Sequence, residues 1–421
     1  MTSHFDRTTA PHICILLALT VAALLGPCAA AVGDDEASAP QKAYRFEGGK
    51  SSVSFPFDVY RGDIRFAAEI NGRAVRLLLD DGFMWDQVLF WGGPDVDALG
   101  LTTDGETSIG DKDDEHTIAA ETASGFSIRL PGIEFTDQTA VITPTSSGTY
   151  KMWAGSVGQV SGTFLKNLVV HINFDTMKIT LSDPEKFEYQ GKGVAVPWTP
   201  MEIGAWAIPG VLVLADGRRI ELDFMMDLGY NDQAQIATRG EHGITVPKTA
   251  KPGTLGFNIQ QEALWGHFGR LQGIEIGGFE VEDVLASFVA EDQSDEVFHE
   301  VMIGLGLLSR FNLTFDFTRQ RIYVEPNGSF SDTFEQNMSG LSLGEEDGES
   351  VGVLGVYAGS PAADAGIKVG DRVLMINGRP ATEYGYWDLQ PLFQTAGEKI
   401  EMVVMRHNQK LEVSFTLRRV I

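Results

Sequence analysis

Two stretches of the chain are written on one pattern. Residues 77–82 (LLLDDG) and 224–229 (FMMDLG) each run three apolar residues, an Asp, one further residue and a Gly. Pro131-Gly132-Ile133-Glu134-Phe135 is matched in the same way by Gly277-Gly278-Phe279-Glu280-Val281, and residues 165–181 (LKNLVVHINFDTMKITL) by 308–324 (LSRFNLTFDFTRQRIYV). Three landmarks in one order at an offset of about 145 residues mark a duplicated unit, where a lone match would be chance likeness between hairpins. Each unit must be a β-rich lobe. Its apolar runs are short and parted by Gly, Asp, Asn and Pro, as at 64–70, 75–79, 169–174, 211–214, 274–276 and 313–317. That spacing suits a sandwich or barrel, and not a parallel α/β sheet.

In both copies a buried strand feeds a tight turn, the Asp emerges at its end, and the Gly supplies backbone freedom. If a pseudo-twofold axis relates the lobes, Asp80 and Asp227 meet on it. Two carboxylates held about 3 Å apart cannot both ionise and share a proton. Such a pair can activate a water against a peptide carbonyl while its protonated member polarises that carbonyl.

The last segment changes character. A strand over 351–356, the run 360–366 (SPAADAG), a Gly370-Asp371 turn and a strand over 372–376 ending in Asn377-Gly378 precede two closing strands, 400–406 and 411–417. Asn-Gly between apolar runs is a strong hairpin signal. A helix is expected around 387–394.

Composition bounds the partners. The 421 residues carry a formal net charge of -26, which argues against nucleic acid and against adsorption to anionic lipid. Arg7 and His12 precede an apolar stretch at 13–26 and then Ala29-Ala30-Ala31, the layout of a secretory signal peptide cleaved near Ala30 or Ala31. The stretch is short for a membrane span, which needs about 20 residues. The chain is therefore expected to be exported to a periplasm or the extracellular space, with no stable span in the mature form. Cys28 offers a lipoprotein alternative, disfavoured by Pro27 before it. Cys14 and Cys28 are the only cysteines, so the mature chain is expected to have neither a disulfide nor a thiol nucleophile.

On residues 70–72 (ING) leading into 77–82, on 224–229, and on 302–327 (MIGLGLLSRFNLTFDFTRQRIYVEPN), the chain resembles the retropepsin-like and pepsin-like aspartic proteases, in the bacterial exported form with a C-terminal PDZ domain. The resemblance implies a mainly β fold of two aspartic-protease-like lobes related by a pseudo-twofold, followed by a PDZ domain. The implied division is signal peptide 1–31, linker 32–51, lobes 52–190 and 191–328, and PDZ domain 335–421. It gives the catalytic role to Asp80 and Asp227 and makes Asp81, Gly82, Leu228 and Gly229 their loops. Gly340, Leu341, Ser342 and Leu343 match the PDZ loop whose N–H groups bind a peptide C-terminal carboxylate. The implied partners are peptides or unfolded proteins and protein C-termini, and neither cofactor nor metal is called for.

Several residues depart from the family pattern. The motif Thr, whose hydroxyl bonds across the dyad, is replaced by Asp81 and Leu228. The small residue after each Gly is Phe83 and Tyr230, and Gln159-Val160-Ser161 stands where two apolar residues and a Gly support the first Asp. Two functions follow: an aspartic endopeptidase, or a protease homologue that binds peptides or partner proteins without cutting them. Residues 105–119 and 251–267 fall where the family's substrate-covering hairpins lie. Trp85 and residues 88–91 read as core. Gly340–Gly344 spells G-x-S-x-G but no helix follows it. His299-Glu300 lacks the second His of a zinc motif, and Asp111, Asp113 and Glu115 lack the Gly of a calcium loop.

Overall fold

The computed structural model describes residues 44–421 apart from 83–85, 111–116, 148–152, 154, 202–204, 239–241, 258–262, 292, 294–296, 298, 346–350, 385–388 and 390. The signal peptide and its cysteines, Phe83 and Trp85, and the acidic trio Asp111, Asp113 and Glu115 lie outside the described residues. The chain forms two compact units. One takes in both lobes, up to Pro247 and again over Leu255–Asp332, and the other is Thr333–Ile421 with Lys248–Thr254.

The first lobe opens as a meander of Ser52–Tyr60, Asp63–Ile70 and Arg73–Leu79. Tyr60 pairs with Asp63 and Ile70 with Arg73, so both connections are two-residue turns. Arg61-Gly62 and Asn71-Gly72 make them with positive φ throughout, the geometry that matches strand twist. Alternation in Ser52–Tyr60 buries Val53, Phe55 and Phe57. The rings of Phe66 and Phe135 both pack on Phe164, a core aromatic whose truncation costs about 3–5 kcal/mol.

The two lobes are threaded alike. The strand bearing each Asp is parted from the strand that follows it by a later strand. Gly158–Val160 lies between Arg73–Leu79 and Val88–Phe90, and Val301–Gly304 between Arg219–Asp227 and Ala234–Ala237. Each inserted strand runs parallel to the Asp strand, with Leu78 opposite Gln159 and Met225 opposite Met302. A helical turn follows, Gly162–Leu165 or Leu305–Leu308, and then a hairpin, Val169–Asn173 with Lys178–Ser182 or Phe311–Asp316 with Arg321–Pro326.

The duplicated hairpins join the lobes. Val169 pairs antiparallel with Asp316 and Ile172 with Leu313. The resulting run reads Val194–Pro197, Arg321–Pro326, Phe311–Asp316, Val169–Asn173, Lys178–Ser182, Ser52–Tyr60, a palindrome about its centre. Antiparallel neighbours are related by a local twofold, and the palindrome extends that relation to the lobes. Tyr44–Phe46 corrects the expected linker: it is a strand on Ile133–Phe135, with Tyr44 8% exposed and its ring against Phe46 and Phe135. Three residues are too few for periodicity to reveal, and what recruits them is an open strand edge beside an aromatic pocket.

The C-terminal unit is a sheet in the order Leu341–Glu345, Val351–Val356, Arg372–Ile376, Lys399–Arg406, Gln409–Thr416. Its core includes Val353, Ile376, Phe393, Ile400 and Val404. Asn377-Gly378 and His407-Asn408 turn its hairpins with positive φ. Asp371 is 1% exposed and bound on both oxygens by Arg406, at 2.6 Å each. Of the helix expected around 387–394, residues 387, 388 and 390 lie outside the described residues, and Pro391–Phe393 is a 3₁₀ turn. Among the described residues no helix is long and apolar enough to cross a membrane.

Candidate active site

Asp80 follows Arg73–Leu79 and Asp227 ends Arg219–Asp227. Asp80 N–H donates to the Val160 carbonyl at 3.2 Å, so the inserted strand fixes the Asp from beside it. In the second lobe Gly304 N–H donates to the Gln233 carbonyl and Leu305 N–H to that of Tyr230. A Cβ at Gly304 would come 2.3 Å from the Tyr230 oxygen, so only glycine fits there. In the first lobe the fully buried Ser161 holds the matching position.

The structure brings the two carboxylates together. One carboxylate oxygen from each of Asp80, Asp81 and Asp227 lies within 4.8 Å of the other two. Each motif glycine is seated against the other lobe's Asp: a Cβ on Gly82 would meet Asp227 Cγ at 2.4 Å, and one on Gly229 would meet Asp80 Cγ at 2.6 Å. Within its own loop each Asp accepts from its Gly. Gly82 N–H donates to Asp80 Oδ1 at 3.0 Å, and Gly229 and Tyr230 N–H donate to Asp227 Oδ1 at 2.8 and 3.1 Å. The cluster is assembled around fixed donors.

The altered motif positions take up definite roles. Asp81 is fully buried, and its Oδ1 accepts from Leu228 N–H across the lobes. A carboxylate thus makes the bond that the resemblance gives to a Thr hydroxyl. Leu228 cannot return one and is simply core. Tyr230 does not cover the pair. Its ring packs with Ala205, Met225 and Met302, and its hydroxyl bonds Ser287 at 2.9 Å.

Two residues of the site were not singled out as such in the sequence. Gln159 Nε2 donates to Asp80 Oδ2 at 2.8 Å; its only signal was a polar side chain at a supporting apolar position. Asp63, 3% exposed, borders with Asp80, Gln159 and Gly229 a cavity of about 20 Å³ that is walled by Trp91 and Trp153. That volume accommodates about one water. Nothing in the sequence distinguishes Asp63 from an ordinary turn residue.

Burial dominates the acid–base behaviour. It lifts Asp227 to about 6 against the Gly229 and Tyr230 N–H bonds. It holds Asp80 well above the usual carboxylate range, reinforced by the charges of Asp227, Asp81 and Asp63. Burial, and then the charge of Asp227, pushes both Asp63 and Asp81 up to about 8. Two interacting carboxyls titrate as a pair, and burial favours the state in which this one holds a proton.

Over the first lobe's cluster stands a hairpin, Thr103–Gly110 with Thr117–Leu130. Its Ile109 and Ala120 pack on Leu78, Leu89, Trp91 and Trp153. Residues 88–91 are buried as expected, while Leu89 and Trp91 also border the cavity. In the second lobe strands run over Lys251–Phe257 and Ala263–Arg270. Both hairpin tips lie outside the described residues.

At the C-terminal loop, Gly340 has φ +73, and a Cβ there would meet Ser360 Cβ at 2.2 Å. Leu341 N–H already donates to Ser339 Oγ at 3.1 Å. Ser342 and Leu343 continue into the edge strand, which is where an added peptide strand would pair. Residues 385–388 lie outside the described residues.

A family model described as PDZ domain matches residues 352–406. No curated protein matches the chain in sequence. Among solved structures it is similar to an aspartic proteinase from Irpex lacteus, with 13% identity and TM-score 0.42 over 67% of this chain and 99% of that one. It is also similar to basic 7S globulin from soybean, with 10% identity and TM-score 0.40 over 65% and 95%. Conglutin gamma, a basic 7S globulin from lupine seeds, gives 10% and 0.40 over 66% and 95%. The chain is mainly β, with a PDZ domain at its C-terminal end.

Proposed function

We propose that this protein is an exported aspartic endopeptidase in which Asp80 and Asp227 share a proton and activate one water, while the PDZ domain engages C-termini of peptides or unfolded chains. The observation that carries this reading is the reciprocal seating of the pair, each carboxylate against the other lobe's motif glycine. An ordinary strand-end turn has no need of such an approach. The export signal rests on residues 13–31 of the sequence, and peptide binding on the PDZ match.

In the reaction the ionised carboxyl accepts a proton from the water as its oxygen attacks the peptide carbon. The protonated carboxyl gives its proton to the carbonyl oxygen. The tetrahedral gem-diol then collapses: the C–N bond breaks, the amine leaves with the pair's proton, and one diol hydroxyl returns its proton to the pair as the carboxylic acid forms. The chemistry needs the pair to hold one proton. With Asp227 lifted to about 6 and Asp80 also raised by burial, kcat/KM should rise with pH through about 6.

The test is cleavage of an unstructured peptide mixture by the purified chain, beside Asp80→Asn and Asp227→Asn, from about pH 3 to about pH 8. Cleavage by the parent alone is the expected result. Equal cleavage by all three, or by none, would sink the catalytic reading. The second reading, a peptide-binding homologue without chemistry, is favoured by Leu228, which removes one cross-lobe bond. It predicts peptide capture without products.

A further inference from the structure

We propose that Gln159 is a positioning residue of the carboxylate pair, its side-chain amide fixing the Asp80 carboxylate from the strand inserted beside it. The proposal rests on the peptidase reading above. It starts from an asymmetry between lobes that otherwise repeat each other.

Gln159 lies opposite Leu78 on the inserted strand, as Met302 lies opposite Met225. Leu78 and Met225 hold the same place in the repeat, so Gln159 and Met302 are equivalent positions. Met302 is fully buried in an apolar cluster. Gln159 is 8% exposed, and an amide buried that deeply is destabilising unless it finds a partner. Its partner is Asp80 Oδ2, at 2.8 Å.

The consequence is a difference in how the two carboxylates are held. Asp227 takes both of its backbone donors on Oδ1. Asp80 takes Gly82 N–H on Oδ1 and Gln159 Nε2–H on Oδ2. Donors on both oxygens fix the carboxylate plane, a rotation that a single donor leaves open. The second lobe also buries a glutamine, Gln235, on the strand paired with Val301–Gly304, but the donors to Asp227 are the Gly229 and Tyr230 N–H groups. The departure from the repeat is thus local to Asp80.

The same bond acts on charge. The ionisable groups that bear on Asp80 are Asp227, Asp81 and Asp63, all acidic; Arg61 acts on Asp63. An N–H donor favours the ionised form of the carboxylate it reaches. Gln159 therefore offsets part of the burial and like-charge cost of forming the pair's monoanion, alongside Gly82 N–H.

The experiment uses the full chain with Gln159→Met, which installs the second-lobe residue, and Gln159→Glu, which keeps the size and removes the donated N–H. Two quantities are measured: the pH dependence of kcat/KM on a peptide, and the titration of the pair by carboxyl 13C NMR on Asp-labelled protein. Asp80→Asn and Asp227→Asn assign the signals. The acid limb and the NMR midpoint are expected to move up together by about one pH unit in Gln159→Met, and further in Gln159→Glu. An unmoved limb and midpoint in both variants, with activity falling only as the folded fraction falls, would overturn the proposal. A shifted midpoint in a chain that cleaves nothing would retain Gln159's role and remove the peptidase reading beneath it.

Discussion

Gly229 lies against the carboxylate of Asp80 so closely that a Cβ would come 2.6 Å from Asp80 Cγ. Gly82 stands in the same relation to Asp227. Gly229→Ala must therefore push one wall of the dyad away from the other. Overpacking of this kind costs about 1–3 kcal/mol, which the fold tolerates. A displacement near 1 Å at the reacting groups can cost about 100-fold in rate. The expected result is a chain with unchanged near-UV circular dichroism and kcat/KM down by about 100-fold.

Asp81 separates bonding from charge. Asp81→Ala strands the buried Leu228 N–H and should destabilise the lobes by about 1–3 kcal/mol. Asp81→Thr restores an oxygen acceptor while removing an acid whose pKa is pushed up to about 8. Urea unfolding at pH 5 and at pH 8 distinguishes them. Threonine should match the parent at the lower pH and exceed it at the higher, and alanine should fall below threonine at both.

Asp63 and Asp81 make stability fall as pH rises. Each has a buried Oδ2 that finds no hydrogen-bond partner among the described residues, so ionising either is costly. An acid whose folded-state value is raised stabilises the fold through its protonated form. That contribution is whole below the ordinary value of 3.8 and is lost as pH climbs through about 8. Thermal unfolding of the lobes should give a Tm that declines over that window. Asp63→Asn, which stays neutral, should flatten the decline and raise Tm at pH 8; an unchanged slope would count against it.

In the PDZ domain the dependence has the opposite sign. Asp371 resists its own burial through Arg406 and Lys368 N–H, which hold its carboxyl below the ordinary value. Its contribution is present above that value and lost as pH falls through the folded one. Breaking a buried ion pair from one side costs about 3–5 kcal/mol. Asp371→Ala should show that loss in a calorimetric transition of the full chain at neutral pH, while peptide cleavage by the lobes persists.

Much of this architecture was legible because it repeats. The Asp turns, the hairpins after each inserted strand and the strand Arg372–Ile376 with its Asn377-Gly378 turn all carry local signals: apolar runs, turn residues, copies in register. Asp80 and Asp227 were placed at one site by symmetry alone. What sequence could not convey were contacts made across long separations. Gln159 read as a flaw in a supporting apolar triplet, because its partner lies 79 residues away. Asp63 sits behind an unremarkable two-residue turn, and only folding carries it to the pair. In the sequence Asp81 shows only as the replacement of a motif Thr; the bond it accepts from Leu228 N–H crosses 147 residues of chain.

The pairing of the two duplicated hairpins has a consequence for how the chain is made. His171 and Thr314 face each other across the join, 143 residues apart in the chain. At a synthesis rate of about 5–20 residues per second, the strand Val169–Asn173 waits roughly 7–30 s before its neighbour exists. During that interval the nascent first lobe presents an open edge, the kind of surface that pairs with whatever strand is at hand. It also holds only one of the two aspartates. The sheet that joins the lobes therefore acts as a timer: the carboxylate pair is assembled only when nearly all of the body has been translated, and until then the chief hazard to the molecule is its own unfinished edge.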